Sequence, residues 1–228
     1  MTGKDSSAPK ATARGKATRI AVAVESKFDF FVFVNCPFDD DYLPLIHAML
    51  FAIHDCGFIA RTALEDSGAA EQRIEKICRL IRESRFSIHD ISRIELSNSL
   101  YPRFNMPFEA GLAYGAIQFG HVKERDMLVL ESVSFQGQIT LSDLAGTDPK
   151  VHNNDPTQMI AAVRAFLAIK KKSGDRTRGA TAITERYATF NSQLPVIAHA
   201  LEISTAEILS LEYLNDWLVL MSVWVLDH

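Results

Sequence analysis

Phe28–Asn35 reads FDFFVFVN, a nearly unbroken aromatic and β-branched run. A strand with one wet face alternates apolar and polar residues; continuous apolarity marks a strand covered on both faces, as in parallel sheets. Working outward from it, Pro37 and the acidic residues Asp39–Asp41 suit a helix start. Tyr42–Cys56 then carries Leu43, Ile46, Met49, Leu50 and Ile53 at helical spacing, and Gly57 follows as a C-cap. Phe58–Ala63 reads as a second short strand.

The alternation continues. After a polar loop, residues 70–84 form an amphipathic helix with Ile74, Ile77, Cys78 and Ile81 on one face. Phe86–Ile91 is a third strand, 92–105 a long loop, and Pro107–Phe119 a helix with proline in its first turn. Met127–Leu130 is a fourth strand and Pro156 to about Lys170 another helix; residues 150–152 have too little apolar length to decide a fifth strand. Strands and helices joined in this order predict a doubly wound α/β fold, a parallel sheet of about five strands with helices on both faces. The charged stretch Lys170–Arg178 is a linker, and residues 180–228 read as a small helical appendage, with helices over 183–190, 194–201 and 215–226 and caps at Asn191 and Ser204. Tyr213, Trp217, Leu220, Met221 and Trp224 make an apolar stripe that either packs on its own domain or forms a homo-oligomer interface.

Apolar residues make up 47% of the 228-residue chain, enough for a sizeable core. The net charge of −4 gives no general attraction to nucleic acid or an anionic membrane, and the apolar run Trp217–Leu226 is too short to span a bilayer. Three cysteines without a CxxC pair fit a reducing cytoplasm. Residues 1–27 are Ser/Ala/Thr-rich and basic without a signal-like apolar stretch; they read as a disordered tail, with a presequence or an anion-binding arm as alternatives.

Ligands of open parallel sheets bind beyond the carboxyl ends of the strands. Strand-end position therefore assigns Asn35, Phe38, Asp39, Arg61, Arg103 and Asn105 to holding a substrate, with His89-Asp90 ending the third strand and Glu131 the fourth. No GxGxxG follows the first strand and no GxxxxGK[ST] occurs, which disfavours a dinucleotide-binding dehydrogenase or a P-loop NTPase. No metal-ligand spacing is present; the pairs His54-Asp55 and His89-Asp90 lie in different elements, so no metal is expected. Cys36 beside Pro37 reads as packing rather than as a thiol nucleophile. Arg61, Arg93 and Arg103 form an anion site or are scattered surface charges.

The most informative segment is Arg103–Gly115, RFNMPFEAGLAYG. Glu109 falls in the first turn of its helix, where burial raises a carboxyl pKa and the helix terminus lowers it. Spacing alone leaves Glu109 open between a reactive carboxylate and ordinary helix-dipole pairing. Gly111 and Gly115, four apart, are expected to let the helix approach the sheet closely.

Ser84–Ser92 (SRFSIHDIS) followed by Asn105–Gly115 (NMPFEAGLAYG) resembles the strand-then-helix signature of the nucleoside 2-deoxyribosyltransferases and of the bacterial TIR-like proteins that share their flavodoxin-like fold. The opening FVFVNCPFDDDY resembles the first strand and loop of the TIR-like group, and the likeness covers about residues 28–172. It implies cleavage or exchange of a ribosyl N-glycosidic bond in a nucleoside, a nucleotide or NAD, with Glu109 catalytic and Asp90 orienting sugar hydroxyls or base. NAD enters as a substrate and no cofactor is implied. The loop over 95–104 is longer than a deoxyribosyltransferase usually carries and the helical tail is additional, which favours the TIR-like side. That side also contains non-catalytic nucleotide-sensing or oligomerising modules, often in bacterial defence, and a deoxyribosyltransferase of salvage is the third alternative.

Overall fold

The computed structural model describes residues 27–65, 71–93, 104–134, 148–171 and 176–228. Five strands form one parallel sheet: β1 (Phe31–Asn35), β2 (Ile59–Thr62), β3 (Phe86–Asp90), β4 (Asp126–Glu131) and β5 (Lys150–Val151), in the order β2-β1-β3-β4-β5. This is the doubly wound, flavodoxin-type order, whose chain reverses direction of growth between β1 and β3. β5 pairs with β4 through Leu130–Lys150 and Glu131–Val151, so the fifth strand that apolar length left undecided is present as a two-residue edge. Phe28 is helical and Asp29 and Phe30 form a turn before β1, with the Phe30 N–H donating to the Lys27 carbonyl at 3.0 Å.

The helices divide between the two faces. α1 (Leu43–Asp55), preceded by a 3-10 turn at Asp40–Tyr42, packs beside α4 (Pro156–Ala168). Together they cover Val32, Val34, Phe86, Ile88, Leu128 and Leu130. On the other face α2 (Arg73–Glu83) and α3 (Asn105–Phe119) enclose Phe33 with Ile77, Leu80, Ile81 and Ala113. β1 is thus covered by apolar side chains on both sides, the physical reason for its unbroken run. Gly57 ends α1 at φ +81°, where the left-handed backbone lets its N–H reach the His54 carbonyl (2.8 Å) and the Phe58 N–H reach that of Ile53 (3.1 Å), a Schellman cap.

The appendage is α5 (Ala180–His199), α6 (Thr205–Ile208), a 3-10 turn at Leu211–Tyr213 and α7 (Leu214–Asp227). Two expected helices are one: α5 runs unbroken through Pro195, so Asn191 lies inside it rather than capping it, while Ser204 does cap α6 in a capping box with Glu207. Trp217, Met221 and Trp224 are buried within the chain, with Phe51 of α1 and Phe190 of α5 packed tilted or edge-on among them. Asp55 at the end of α1, fully buried, pairs with Arg186 (2.6 Å) and Arg178 (3.4 Å) and fastens the appendage to the α1 face. Among the described residues no helix is long and apolar enough to cross a membrane.

Candidate functional site

The crevice at the β1/β3 switch point is where a ligand of this topology belongs, and two sets of side chains meet there. Alternation along the strands sends Asn35 and His89 towards α3 and Asp90 towards α1. The Asn35 amide sits 3.0 Å from His89 Nδ1 and donates to the Met106 carbonyl at 3.0 Å, which ties the end of β1 to the first turn of α3. That tie fixes where Glu109 stands.

Asp90 is fully buried and its carboxylate is surrounded by donors. The Ser92 N–H donates to Oδ1 (2.8 Å), the Tyr42 hydroxyl donates to Oδ2, and His152 Nε2 lies 2.9 Å from Oδ2. His152, just past β5, accepts the Asn154 N–H on Nδ1 (3.1 Å), which leaves its proton on Nε2 for Asp90 and for Ser92 Oγ at 3.0 Å. Burial and the Asp90 charge push the Tyr42 phenol well above its ordinary pKa, so it remains a donor. Asp90 therefore locks the β1, β3 and β5 loops together, and neither oxygen lies open to a sugar.

Glu109 is placed differently. α3 begins at Asn105, two residues before Pro107, so Glu109 opens the second turn rather than lying in the first. It is 5% exposed, and among the described residues its ion pair runs from Arg73 Nη2, at the start of α2, to Oε1 at 3.5 Å. Burial raises its carboxyl pKa and Arg73 partly offsets this. The inward face of α3 is Met106, Glu109, Ala110 and Ala113. A Cβ added at Gly111 or Gly115 meets nothing within 4 Å, so the expected close approach through these glycines is not made. Small alanines serve that purpose, and the burial of Glu109 comes from the sheet side, because Phe108 and Tyr114 are exposed.

Cys36 lies between the two carboxylates. Burial first, then the charges of Asp90, Asp39 and Glu109, push its thiol pKa well up. It stays protonated and buried, the opposite of an activated nucleophile.

The other expected substrate contacts are dispersed. Asp39 caps the 3-10 turn, accepting the Tyr42 N–H at 3.1 Å and the Arg93 guanidinium at 3.0 Å. Phe38 is half-buried against the α1-side core. Arg61 stacks on Phe31 and pairs with Glu65 (2.7 Å) and Glu83 (3.3 Å), away from Asp90. Arg61 and Arg93 are both engaged by carboxylates, and Arg103 lies outside the described residues. Asn105 is exposed at the start of α3, between Phe104 (67% exposed) and Phe108 (58% exposed). His54 accepts the Ala60 N–H, and among the described residues no three His, Cys, Asp or Glu side chains are grouped to hold a metal ion.

Tyr42, Ser92, His152 and Arg73 are site residues that pattern reading missed as such. Strand-end position pointed only to the neighbourhood of Ser92, through His89-Asp90, and Tyr42 lay in the opening stretch FVFVNCPFDDDY. No family model, curated protein or solved structure matches the chain.

Proposed function

We propose that this protein cleaves or exchanges a ribosyl N-glycosidic bond of a nucleoside, a nucleotide or NAD, with Glu109 as the carboxylate that meets the anomeric carbon. The observation that carries the reading is the state of Glu109. It is a buried carboxylate of raised pKa at the switch-point crevice, restrained by one arginine that is itself 63% exposed. The bond breaks through an oxocarbenium-like sugar, so the electron pair of the C–N bond leaves with the base: a purine or pyrimidine takes up a proton, whereas the pyridinium of NAD leaves as neutral nicotinamide without one. Glu109 stabilises the cation electrostatically or captures it as an ester. Water then supplies the oxygen in hydrolysis, or a second base supplies its nitrogen in transfer. Asp90 is here a positioning residue, holding the Tyr42, Ser92 and His152 segments around the crevice. The exposed Phe104 and Phe108 offer ring faces for a planar base.

The test is incubation of the protein with NAD and a panel of ribo- and deoxyribonucleosides, with free base read by chromatography and Glu109→Gln run alongside. The expected outcome is base release that falls by about 10³-fold or more in the variant, while its melting transition is retained. Release that persists in Glu109→Gln would refute the assignment. Labelled free base appearing in nucleoside separates transfer from hydrolysis. The closure of the Asp90 network favours one second reading, a module that binds nucleotide without turnover. In that case no substrate releases base and Glu109→Gln changes affinity alone.

A further inference from the structure

α7 is apolar on more sides than the fold covers. Trp217, Met221 and Trp224 are buried, yet Val219 is 60% exposed, Val223 52% and Leu226 84%. With Asp216 these three recur at steps of three, four and three, which sets them in one outward stripe. A surface helix ordinarily carries charged residues on that side, and a helix apolar all round is a covered one. An exposed carboxylate stands at each end of the stripe, Asp216 and Asp227. The surrounding charge has one sign: residues 187–228 hold five acidic residues, Glu202, Glu207, Glu212, Asp216 and Asp227, and no lysine or arginine.

Charge selects the occupant. A second copy's α7, laid parallel or antiparallel on the first, sets carboxylate against carboxylate at both ends, and like charges facing each other suppress pairing. The complement is a basic segment continuous with an apolar one, and this chain has it. Residues 1–26 hold five lysines and arginines against Asp5 and Glu25, and Arg14, Lys16 and Arg19 run directly into Ile20-Ala21-Val22-Ala23-Val24. Direction matches as well. Asn215, at the start of α7, donates to the carbonyl of Leu64 just past the carboxyl end of β2. Trp224 instead meets Phe51 and Arg186, the arginine that pairs with Asp55 at the end of α1. α7 therefore runs towards the end of the sheet where the strands begin, and Lys27 leads into β1 at that same end. Counting back from Lys27, Val24, Val22 and Ile20 come first and Arg19 follows; along α7 from its carboxyl end, Leu226, Val223 and Val219 come first and Asp216 follows. Five residues of extended chain from Val24 to Arg19 cover about 17 Å. Ten residues of helix from Leu226 to Asp216 cover about 15 Å.

We propose that the outward stripe of α7 is the docking site of the chain's own residues 14–24, with Ile20, Val22 and Val24 on the apolar stripe and Arg19 on Asp216. Alternation puts the three larger apolar residues on one side of an extended segment. The proposal is independent of the glycosidic reading.

The test is disulfide trapping in the full chain. Val22→Cys is combined with Val223→Cys under mild oxidation, in a Cys78→Ser background because Cys36 and Cys56 are buried. The comparison pairs Val22→Cys with Val122→Cys, since Val122 is also exposed and lines a cavity together with Lys27 and Phe28. Peptide mapping and a non-reducing gel read which positions are linked and whether within one chain. The 22–223 link is expected within one chain, at least about 5-fold above the 22–122 link. Asp216→Lys is expected to lower it about 3-fold, and adding Arg19→Asp to restore it. A link formed chiefly between two chains places the segment on a second copy and overturns the proposal. So does a preference for position 122, or a yield that Asp216→Lys leaves unchanged.

Discussion

Replacing Tyr42 by Phe removes one oxygen and tests whether Asp90 is held as the geometry describes. Both residues are buried, so no water replaces the lost donor to Oδ2. A hydrogen bond to a charged group contributes about 1.5–3 kcal/mol. The larger penalty for stranding a buried charge, about 3–5 kcal/mol, is not incurred, because the Ser92 N–H and His152 remain on Asp90 at 2.8 and 2.9 Å. The expected loss is therefore about 1.5–3 kcal/mol, or roughly 3–12 °C in melting temperature for a chain of this size. Burial and Asp90 hold the phenol protonated, so the loss persists across neutral and mildly alkaline pH. Urea unfolding of Tyr42→Phe is compared with Tyr114→Phe, whose exposed ring makes it a control expected within about 0.5 kcal/mol of the parent. Adding His152→Leu completes a cycle. Both side chains donate to the same oxygen, so the double variant falls below the sum of the singles by about 0.5–3 kcal/mol. A Tyr42→Phe protein as stable as the control, or an additive double variant, refutes the account of Asp90.

Asp55→Ala leaves Arg186 facing an empty buried site and is expected to cost about 3–5 kcal/mol, with a red shift of Trp217 and Trp224 emission as the appendage loosens; a cost under about 1 kcal/mol would show that the pair does not fasten it. Glu109→Gln is expected to be more stable than the parent at neutral pH. The Glu109 pKa is raised in the fold, so its stabilising balance is complete below the ordinary carboxylate value and is lost as pH rises through the raised one. The difference therefore vanishes near pH ~4, and equal stability at both pH values in urea melts counts against a buried ionised carboxylate. Burial lowers His47 and His54 to about 4 and His89 to about 3. Below the unfolded histidine value of about 6.5 the unfolded chain takes up protons the fold does not. Stability is thus full above that pH and falls on acidification towards 4, by up to about 1.4 kcal/mol per pH unit for each histidine. Urea midpoints at descending pH check this, and His47→Phe flattens the slope.

The fold was legible because its decisive signals are local. The run in β1, the periodicity of α1 and the Gly57 stop each sit within one segment, and their order dictates a parallel sheet. The boundaries that moved did so for tertiary reasons. Two-residue β5 is defined by its pairing to β4 and not by its own apolarity, and α5 continues through Pro195 because Leu194 and Ala198 are buried on either side of it. The site was half legible. Asp90 and Glu109 stand out by resemblance and strand-end position, whereas Tyr42 and His152 reach Asp90 from 48 residues before and from beyond a loop after it, a convergence no periodicity encodes. The glycine pair misled because spacing of four defines a face of a helix without saying whether it turns inward. Burial puts Met106, Glu109, Ala110 and Ala113 inward and leaves Gly111 exposed.

What separates the two carboxylates is the cost of freeing each. To present Asp90 to a ligand, the chain must give up a backbone donor, a tyrosine and a histidine that are all buried, several hydrogen bonds to a charged group at about 1.5–3 kcal/mol apiece. To present Glu109, it must move only one side chain, an exposed guanidinium that sits 3.5 Å away. The residue between them, Cys36, is protonated and closed. On the proposed reading, Glu109 is therefore the carboxylate that meets a ligand, and Asp90 holds the neighbouring segments in place. Side-chain alternation along β1 and β3 imposes this division: Asn35 aligns α3 and its glutamate on one face, and Asp90 closes the other.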